Sequence, residues 1–305
     1  MTAISRPGLA AGISMEGFAP LDVLTATYTA CSATVLLVRS VVGEGVSPLE
    51  LRWLLVAHAL LLVLVVLARR ARLAAAPGYS VLAEWYPVLI LTAIYASIGL
   101  VNAPREALGL SGDPLVLHWE SRLAGPQYLD RWAGHAGPPI VNWGLALSYL
   151  AFFPMVIAAP MVLWLQGQRA RAQRAIFGIT LTFLACYLVF LLFPVAGPAY
   201  VRGWPETQAG SDLPIRLVRS LNDQGDSWGS AFPSSHVAAS AAALMLGMNG
   251  CRRLGTALLP IAVGILLAVV YFRVHYVLDA VAGLALATLI VTTLYRLWPL
   301  RADPT

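Results

Sequence analysis

Long apolar segments alternate with short polar segments along most of the chain, and this pattern is typical of a polytopic membrane protein. A helix that crosses the hydrocarbon core of a bilayer needs about 20 predominantly apolar residues. The sequence predicts about eight such spans, with approximate bounds 21–38, 51–68, 85–101, 140–165, 175–195, 236–248, 256–274 and 276–297. We therefore predict an all-α fold, a polytopic transmembrane helix bundle.

The composition supports this interpretation, because 59% of the residues are hydrophobic and only 11% are charged. Soluble domains carry roughly 25% charged residues. The 20 basic residues are all arginine, and with 15 acidic residues the net charge is +5. Since the chain has no lysine, no lysine can form a Schiff base or hold a phosphate. We expect membrane lipids as neighbours and no nucleic acid as a partner. The oligomeric state is left open.

The arginines predict the orientation of the bundle. Short loops that are rich in arginine stay on the cytoplasmic side of a membrane. With eight spans, the arginine clusters after spans two, four, six and eight all fall on one side. They contain Arg69, Arg70, Arg72, Arg169, Arg171, Arg174, Arg252, Arg253, Arg296 and Arg301. We therefore expect a multi-pass protein of the cytoplasmic membrane, whose loops 102–139 and 196–235 face outward.

Two short motifs carry the candidate chemistry, and both begin an apolar segment on the predicted outer face. Residues 232–236 read Phe-Pro-Ser-Ser-His, and residues 275–279 read His-Tyr-Val-Leu-Asp. If the second motif is helical, His275 and Asp279 share one face. A carboxylate next to an imidazole can fix its tautomer and leave the other ring nitrogen free to attack. The alternative is a polar pair that only ties helices together.

These residue types suit phosphoryl transfer through a covalent intermediate. His275 is the candidate nucleophile, with Asp279 as its orienting group, and His236 is the candidate proton donor. Ser234 and Ser235 open a helix, where backbone N–H groups favour a phosphate.

Arg273 and Arg202 are candidate phosphate-binding cations, although each can equally be an ordinary interfacial charge. The acids of the second outer loop, which are Glu206, Asp212, Asp223 and Asp226, show no metal-ligand spacing. We expect neither a metal ion nor a cofactor.

The motifs resemble those of a known family. Residues 233–236, together with residues 274–283, resemble the second and third motifs of the type-2 phosphatidic acid phosphatase superfamily. That superfamily's pattern also has a lysine-containing first motif and a Ser-Arg pair before the third. This chain has no lysine, and Ala268 and Val269 stand at the Ser-Arg positions. The resemblance implies a catalytic triad of His236, His275 and Asp279 and chemistry that needs no metal.

In these departures the chain resembles the inositol-phosphorylceramide synthase branch of that superfamily. Further similarities to that branch lie at residues 84–87, 117–120 and 193–198 and at Tyr149. The resemblance covers about residues 84–283, and the first two spans carry no motif that can be placed. We therefore predict N-terminal transmembrane helices over residues 1–75 and a catalytic domain over residues 76–300 with a six-helix core. The branch implies an inositol-phosphotransferase-like enzyme that moves a phospho-headgroup of a lipid-linked phosphate to an alcohol. Two alternatives stay open: a lipid phosphate phosphatase, and a non-catalytic membrane lipid-binding or scaffold protein.

Overall fold

The structure is a bundle of α-helices joined by short connections. It is a computed structural model that describes residues 19–43, 47–73, 77–125, 137–204 and 213–300. In chain order, the helices of these residues are α1 (Pro20–Val41), α2 (Pro48–Leu73), α3 (Pro77–Ala107), α4 (Asp113–Ala124), α5 (Pro139–Leu150), α6 (Phe152–Leu165), α7 (Arg169–Leu192), α8 (Pro198–Arg202), α9 (Leu213–Gly225), α10 (Ser235–Gly250), α11 (Arg252–Tyr271) and α12 (Val277–Leu297). Within the described residues there is one isolated β-bridge, between Val195 and Ser230, and no strand. The predicted all-α polytopic fold is confirmed.

Six of the described helices, which are α1, α2, α3, α7, α11 and α12, are long and apolar enough to cross a membrane. A seventh span is possible if α5 and α6 are counted together, although they meet at an angle of 50°. Pro154 lies in the first turn of α6 and has no N–H to continue the hydrogen bonding of α5, which explains the break. The remaining predicted span corresponds to α10, which has 16 residues and is shorter than a typical span.

Helix α10 lies at the centre of the bundle, where it contacts α6, α7, α11 and α12. Its buried side chains are mostly small, and Ala238, Ala239, Ala242 and Ala243 are all fully buried. Small side chains let neighbouring helix backbones approach closely, as in other membrane bundles. Helix α10, which begins at Ser235, is therefore packed closely against four other helices.

The two ends of the bundle differ in chemistry. At one end, Arg174 near the start of α7 donates to the Trp298 carbonyl at 3.1 Å and to Asn249 Oδ1 at 2.5 Å. These acceptors follow α12 and lie near the end of α10. His236 and His275 lie at the opposite ends of these helices. The arginine-rich connections and the histidine motifs are thus separated by the length of the bundle.

Helices α1 and α2 pack on this core, against α3 and α7. Arg39 of α1 is buried and donates to Asn102 Oδ1 at 2.8 Å and to the carbonyls of Val101 and Leu191. The predicted domain boundary near residue 75 falls between α2 and α3, in residues 74–76, which lie outside the described part.

Candidate active site

The fold brings the two motif histidines into contact. His236 is the second residue of α10, and His275 lies in the turn between α11 and α12. Nδ1 of His236 and Nε2 of His275 are 3.3 Å apart. The His236 ring also packs on Phe152, with ring centroids 4.5 Å apart, and stacks on Tyr149 at 5.2 Å.

A backbone carbonyl sets the tautomer of His275. Nδ1 lies 2.8 Å from the Ala231 oxygen, and a carbonyl oxygen can only accept a hydrogen bond. Nδ1 therefore carries the proton, and Nε2 of the neutral ring presents its lone pair towards His236. Burial lowers the pKa of His275 to about 4, although Asp226 and the Ala231 carbonyl act in the other direction. The imidazole is thus neutral, and nucleophilic at Nε2, near pH 7.

Asp279 does not make the hydrogen bond that the sequence predicted. Its Oδ2 lies 3.7 Å from Nδ1 of His275 and instead accepts from the Tyr276 N–H at 2.8 Å. The spacing argument assumed that both residues are helical, but α12 begins only at Val277, and Tyr276 is its extended N-cap residue. The fully buried carboxylate therefore caps the helix and lies beside the imidazole without a direct hydrogen bond to it.

The predicted phosphate-binding serines join the two motifs. Ser234 is the N-cap of α10 and accepts from the Val237 N–H at 3.4 Å, so its own hydroxyl proton is still available for donation. Its backbone N–H donates to the Asp279 carbonyl at 2.9 Å. Gly283 permits this contact, because a Cβ there would lie 2.4 Å from the Ser234 oxygen. Ser235 lines a cavity together with His236.

The two predicted arginines are both close to Gly203. Arg273 is 8% exposed, and its Nη1 reaches the Gly203 carbonyl at 3.4 Å. Arg202, the residue before Gly203, is exposed at the end of the short helix α8. Arg273 also has a φ of 57°, a left-handed conformation that helps turn the chain from α11 towards His275.

Two buried carboxylates of α4 hold the loops of the site, which the sequence reasoning did not anticipate. Glu120 accepts from the N–H groups of Val277 and Leu278 at 2.6 and 2.8 Å, where α12 begins. Asp113 accepts from the N–H groups of Ala196 and Gly197 at 2.6 and 2.9 Å and from the Tyr276 hydroxyl. The two residues are seven positions apart, which places both on one face of a helix, and this spacing could have indicated a shared role.

Asp226 is a third acidic residue whose position the sequence did not predict. Its Oδ1 accepts from the Tyr95 hydroxyl at 2.6 Å, the Ser227 N–H at 3.0 Å and the Ser230 hydroxyl at 3.1 Å. Burial raises the pKa of Asp226. Tyr95 belongs to α3, and no local pattern relates it to a loop 131 residues later.

Two cavities meet at the histidines. An apolar groove of about 260 Å³ runs between α3, α6 and α7 to Ser235 and His236. Its wall is lined by Val88, Leu91, Thr92, Tyr95, Phe152, Phe153, Val156, Ile157, Pro160, Ile176, Ile179, Phe183 and Tyr187. A much smaller cavity of about 10 Å³ is lined by polar groups that include Asp226, Ser230 and His275. Tyr95 and His236 line both cavities.

No group of three or more His, Cys, Asp or Glu side chains in the described residues is placed to hold a metal ion. Comparison with curated proteins and with solved structures finds no match. A profile described as the PAP2 superfamily matches residues 116–293. Because this match covers more than half of the 305 residues and contains both histidine motifs, the chain belongs to the PAP2 superfamily, whose members are phosphoryl-transfer enzymes.

Proposed function

We propose that this protein transfers the phosphate of a lipid-linked phosphoester through a covalent intermediate on His275. One observation carries the proposal: the lone pair of Nε2 on a buried, neutral His275 faces His236 at the end of an apolar groove. From Ile176 to Tyr187 the groove follows α7 for about 17 Å, at 1.5 Å per residue. An apolar groove of that length suits a hydrocarbon chain whose headgroup lies at the histidines.

In the first half-reaction, Nε2 of His275 attacks phosphorus and the bond from phosphorus to the lipid oxygen breaks. His236 gives its proton to that leaving oxygen. Since 3.3 Å leaves no room for phosphorus between the two nitrogens, the entering phosphate must separate the rings. His275 is held by the Ala231 carbonyl, so we expect His236 to move. The phospho-imidazolium that forms is cationic, and the Asp279 carboxylate 3.7 Å away stabilises it.

The phosphate oxygens have donors at the start of α10. The first backbone N–H groups of a helix have no partner within the helix and favour an anion. Ser234 adds its hydroxyl proton, and the N–H groups of Ser235 and His236 point along the same helix end. We assign Arg273 and Arg202 to the outer rim, where a cation attracts the phosphate before it enters.

The second half-reaction passes the group from His275 to an acceptor. An alcohol acceptor gives an inositol-phosphotransferase-like enzyme, and water gives a lipid phosphate phosphatase. Both use the same histidines, with His236 taking the acceptor's proton. The proposed site lies on the extracytoplasmic face of the cytoplasmic membrane, where the arginine pattern places the histidine end.

The test compares a long-chain lipid phosphate with p-nitrophenyl phosphate in detergent micelles. His275→Ala should lose turnover of both substrates by at least about 10³-fold, because the nucleophile is absent. His236→Ala should lose about 10²–10⁴-fold on the lipid but much less on the activated ester, whose leaving group needs no proton. Vanadate, which mimics the pentacoordinate phosphorus, should inhibit the wild type.

His118→Ala is the matched control, since His118 is an exposed histidine of α4. It should keep wild-type activity on both substrates. Full activity of His275→Ala on either substrate would exclude a phospho-His275 mechanism. A wild type that binds lipid phosphates, turns over neither substrate and ignores vanadate would favour the non-catalytic alternative.

A further inference from the structure

The small polar cavity beside His275 has a size and a lining that the first half-reaction does not explain. It is lined by Tyr95, Ala196, Asp226, Ser230, Ala231, His236, Val274 and His275. Its volume of about 10 Å³ is close to the space that a single buried water molecule needs. The cavity adjoins both histidines but lies apart from most of the apolar groove. It is therefore suited to a small, polar reactant rather than to a lipid chain.

The carboxylate of Asp226 is anchored on one side only. All three of its described side-chain hydrogen bonds, from Tyr95, Ser227 and Ser230, go to Oδ1. These contacts fix the plane of the carboxylate, and they leave Oδ2 as an acceptor for whatever occupies the cavity. Asp226 is half-buried and lines the cavity, so an O–H group in the cavity is the natural complement of Oδ2.

We propose that the cavity binds the water molecule that hydrolyses phospho-His275, and that Oδ2 of Asp226 accepts one of its two hydrogen bonds. This inference rests on the proposed function and decides between its two acceptors. The second hydrogen of the water points to His236, which lines the same cavity. Asp226 is then a catalytic residue of the second half-reaction.

The same arrangement selects against an alcohol. Water has two hydrogens and satisfies both acceptors, Asp226 Oδ2 and His236. An alcohol has one hydroxyl hydrogen, so it leaves one acceptor unpaired, and its carbon must fit into a cavity of about 10 Å³. Sites that leave a buried polar group unpaired reject the wrong substrate strongly.

In the step itself, the water oxygen forms a bond to phosphorus, and the bond from phosphorus to Nε2 of His275 breaks. That electron pair returns to Nε2, which restores the neutral imidazole. One water proton passes to His236 and restores the acid that the first half-reaction used. The other hydrogen stays on the product phosphate, where it is hydrogen-bonded to Asp226.

Asp226→Asn tests the proposal, because asparagine keeps an oxygen for Tyr95, Ser227 and Ser230 but places an N–H donor where Oδ2 was. With p-nitrophenyl phosphate, the first turnover should keep its wild-type rate, whereas steady-state turnover should fall about 10²-fold. Phospho-His275 should then accumulate, and an alkaline quench followed by mass spectrometry detects it. Asp223→Asn, at an exposed acid of α9, is the control and should change neither rate.

A second measurement uses methanol as a competing acceptor. The asparagine N–H can donate to an alcohol oxygen, so the yield of methyl phosphate relative to inorganic phosphate should rise at least about tenfold over wild type. An unchanged ratio, or equal loss of the first and later turnovers, would overturn the role of Asp226. A wild type that prefers methanol to water, mole for mole, would overturn the choice of acceptor. Absence of phospho-His275 in both proteins would instead exclude the proposed function itself.

Discussion

The reactivity of the site depends at the residue scale on how one imidazole is held. His275 is 3% exposed, its Nδ1 donates to the Ala231 carbonyl, and its Nε2 lies 3.3 Å from Nδ1 of His236. Burial disfavours the charged ring, and one hydrogen bond selects the tautomer. The proposed nucleophile is thus a neutral imidazole with a free lone pair at neutral pH.

This environment predicts the pH dependence of the first turnover. Burial lowers the pKa of His275 to about 4, compared with about 6.5 for an exposed histidine. His275 is therefore protonated, and unable to attack, only when the pH falls towards 4. The first-turnover rate on p-nitrophenyl phosphate should be constant from pH 8 to about pH 5.5 and fall below that. A midpoint near 6.5 in a rapid-quench pH series would contradict the buried neutral ring.

On the natural lipid, the same enzyme should show a bell-shaped profile, because His236 must also carry a proton for the leaving oxygen. The alkaline side should vanish when the lipid is replaced by the p-nitrophenyl ester. That comparison separates the two histidines within one protein.

Replacing Asp279 separates its two roles. In Asp279→Asn, the asparagine oxygen can still accept from the Tyr276 N–H. The helix cap is therefore kept, and the melting temperature should be nearly unchanged. The charge beside the phospho-imidazolium is lost, so the first-turnover rate should fall by roughly 10²–10³. Asp279→Ala also removes the cap and should lower the melting temperature as well. A wild-type rate in the asparagine variant would show that Asp279 serves only the fold.

At the scale of elements, two carboxylates of α4 hold the loops beside the candidate site, and we call this set of contacts the strap. Asp279 accepts from the Tyr276 N–H, but the N–H groups of Val277 and Leu278 receive their cap from a distant residue, because the Tyr276 side chain makes no cap hydrogen bond. Glu120 supplies it with both carboxylate oxygens, and Asp113 fixes the loop at Ala196 and Gly197. The turn that carries His275 is therefore positioned by α4 as much as by α11 and α12.

Glu120→Gln should weaken this strap. A glutamine side chain has one acceptor oxygen, so one of the N–H groups of Val277 and Leu278 loses its partner. We expect a loss of about 1–3 kcal/mol in stability and a lower kcat, with a smaller change in KM. Thermal unfolding in detergent and steady-state kinetics measure these effects. Glu106→Gln, at an exposed position of α3, is the control, and an equal response from both variants would exclude the strap.

At the scale of the whole molecule, the histidine end and the arginine end lie at opposite ends of the central helices. The prediction that the histidine end is extracytoplasmic follows from the arginine pattern. Single cysteines at Gln208, which lies outside the described residues, and at Gln168, between α6 and α7, test it. The three native cysteines are first replaced by serine or alanine. An impermeant thiol reagent should label only position 208 in intact cells, and labelling of position 168 alone would reverse the orientation.

The sequence by itself determined the bundle and the two histidines. Apolar segment length predicts membrane helices because the bilayer fixes the length required. Residues 232–236 and 275–279 indicated the candidate histidines because their chemistry is local to each motif. The same local reasoning brought His275 and Asp279 near each other, at 3.7 Å, but it did not predict that Asp279 caps α12, since His275 lies before the start of that helix.

Only the tertiary structure decided what surrounds these histidines. The Ala231 carbonyl accepts from Nδ1 of His275, and Glu120 accepts from N–H groups at the start of α12. The Tyr95 hydroxyl donates to Asp226 beside the site. Each contact joins parts of the chain that are far apart in sequence and have no shared periodicity. Hydrophobic patterning selects which residues enter the membrane, but long-range packing selects which carbonyl or carboxylate meets which ring. The acceptor that we propose therefore depends on the folded loops, and the motifs alone do not determine it.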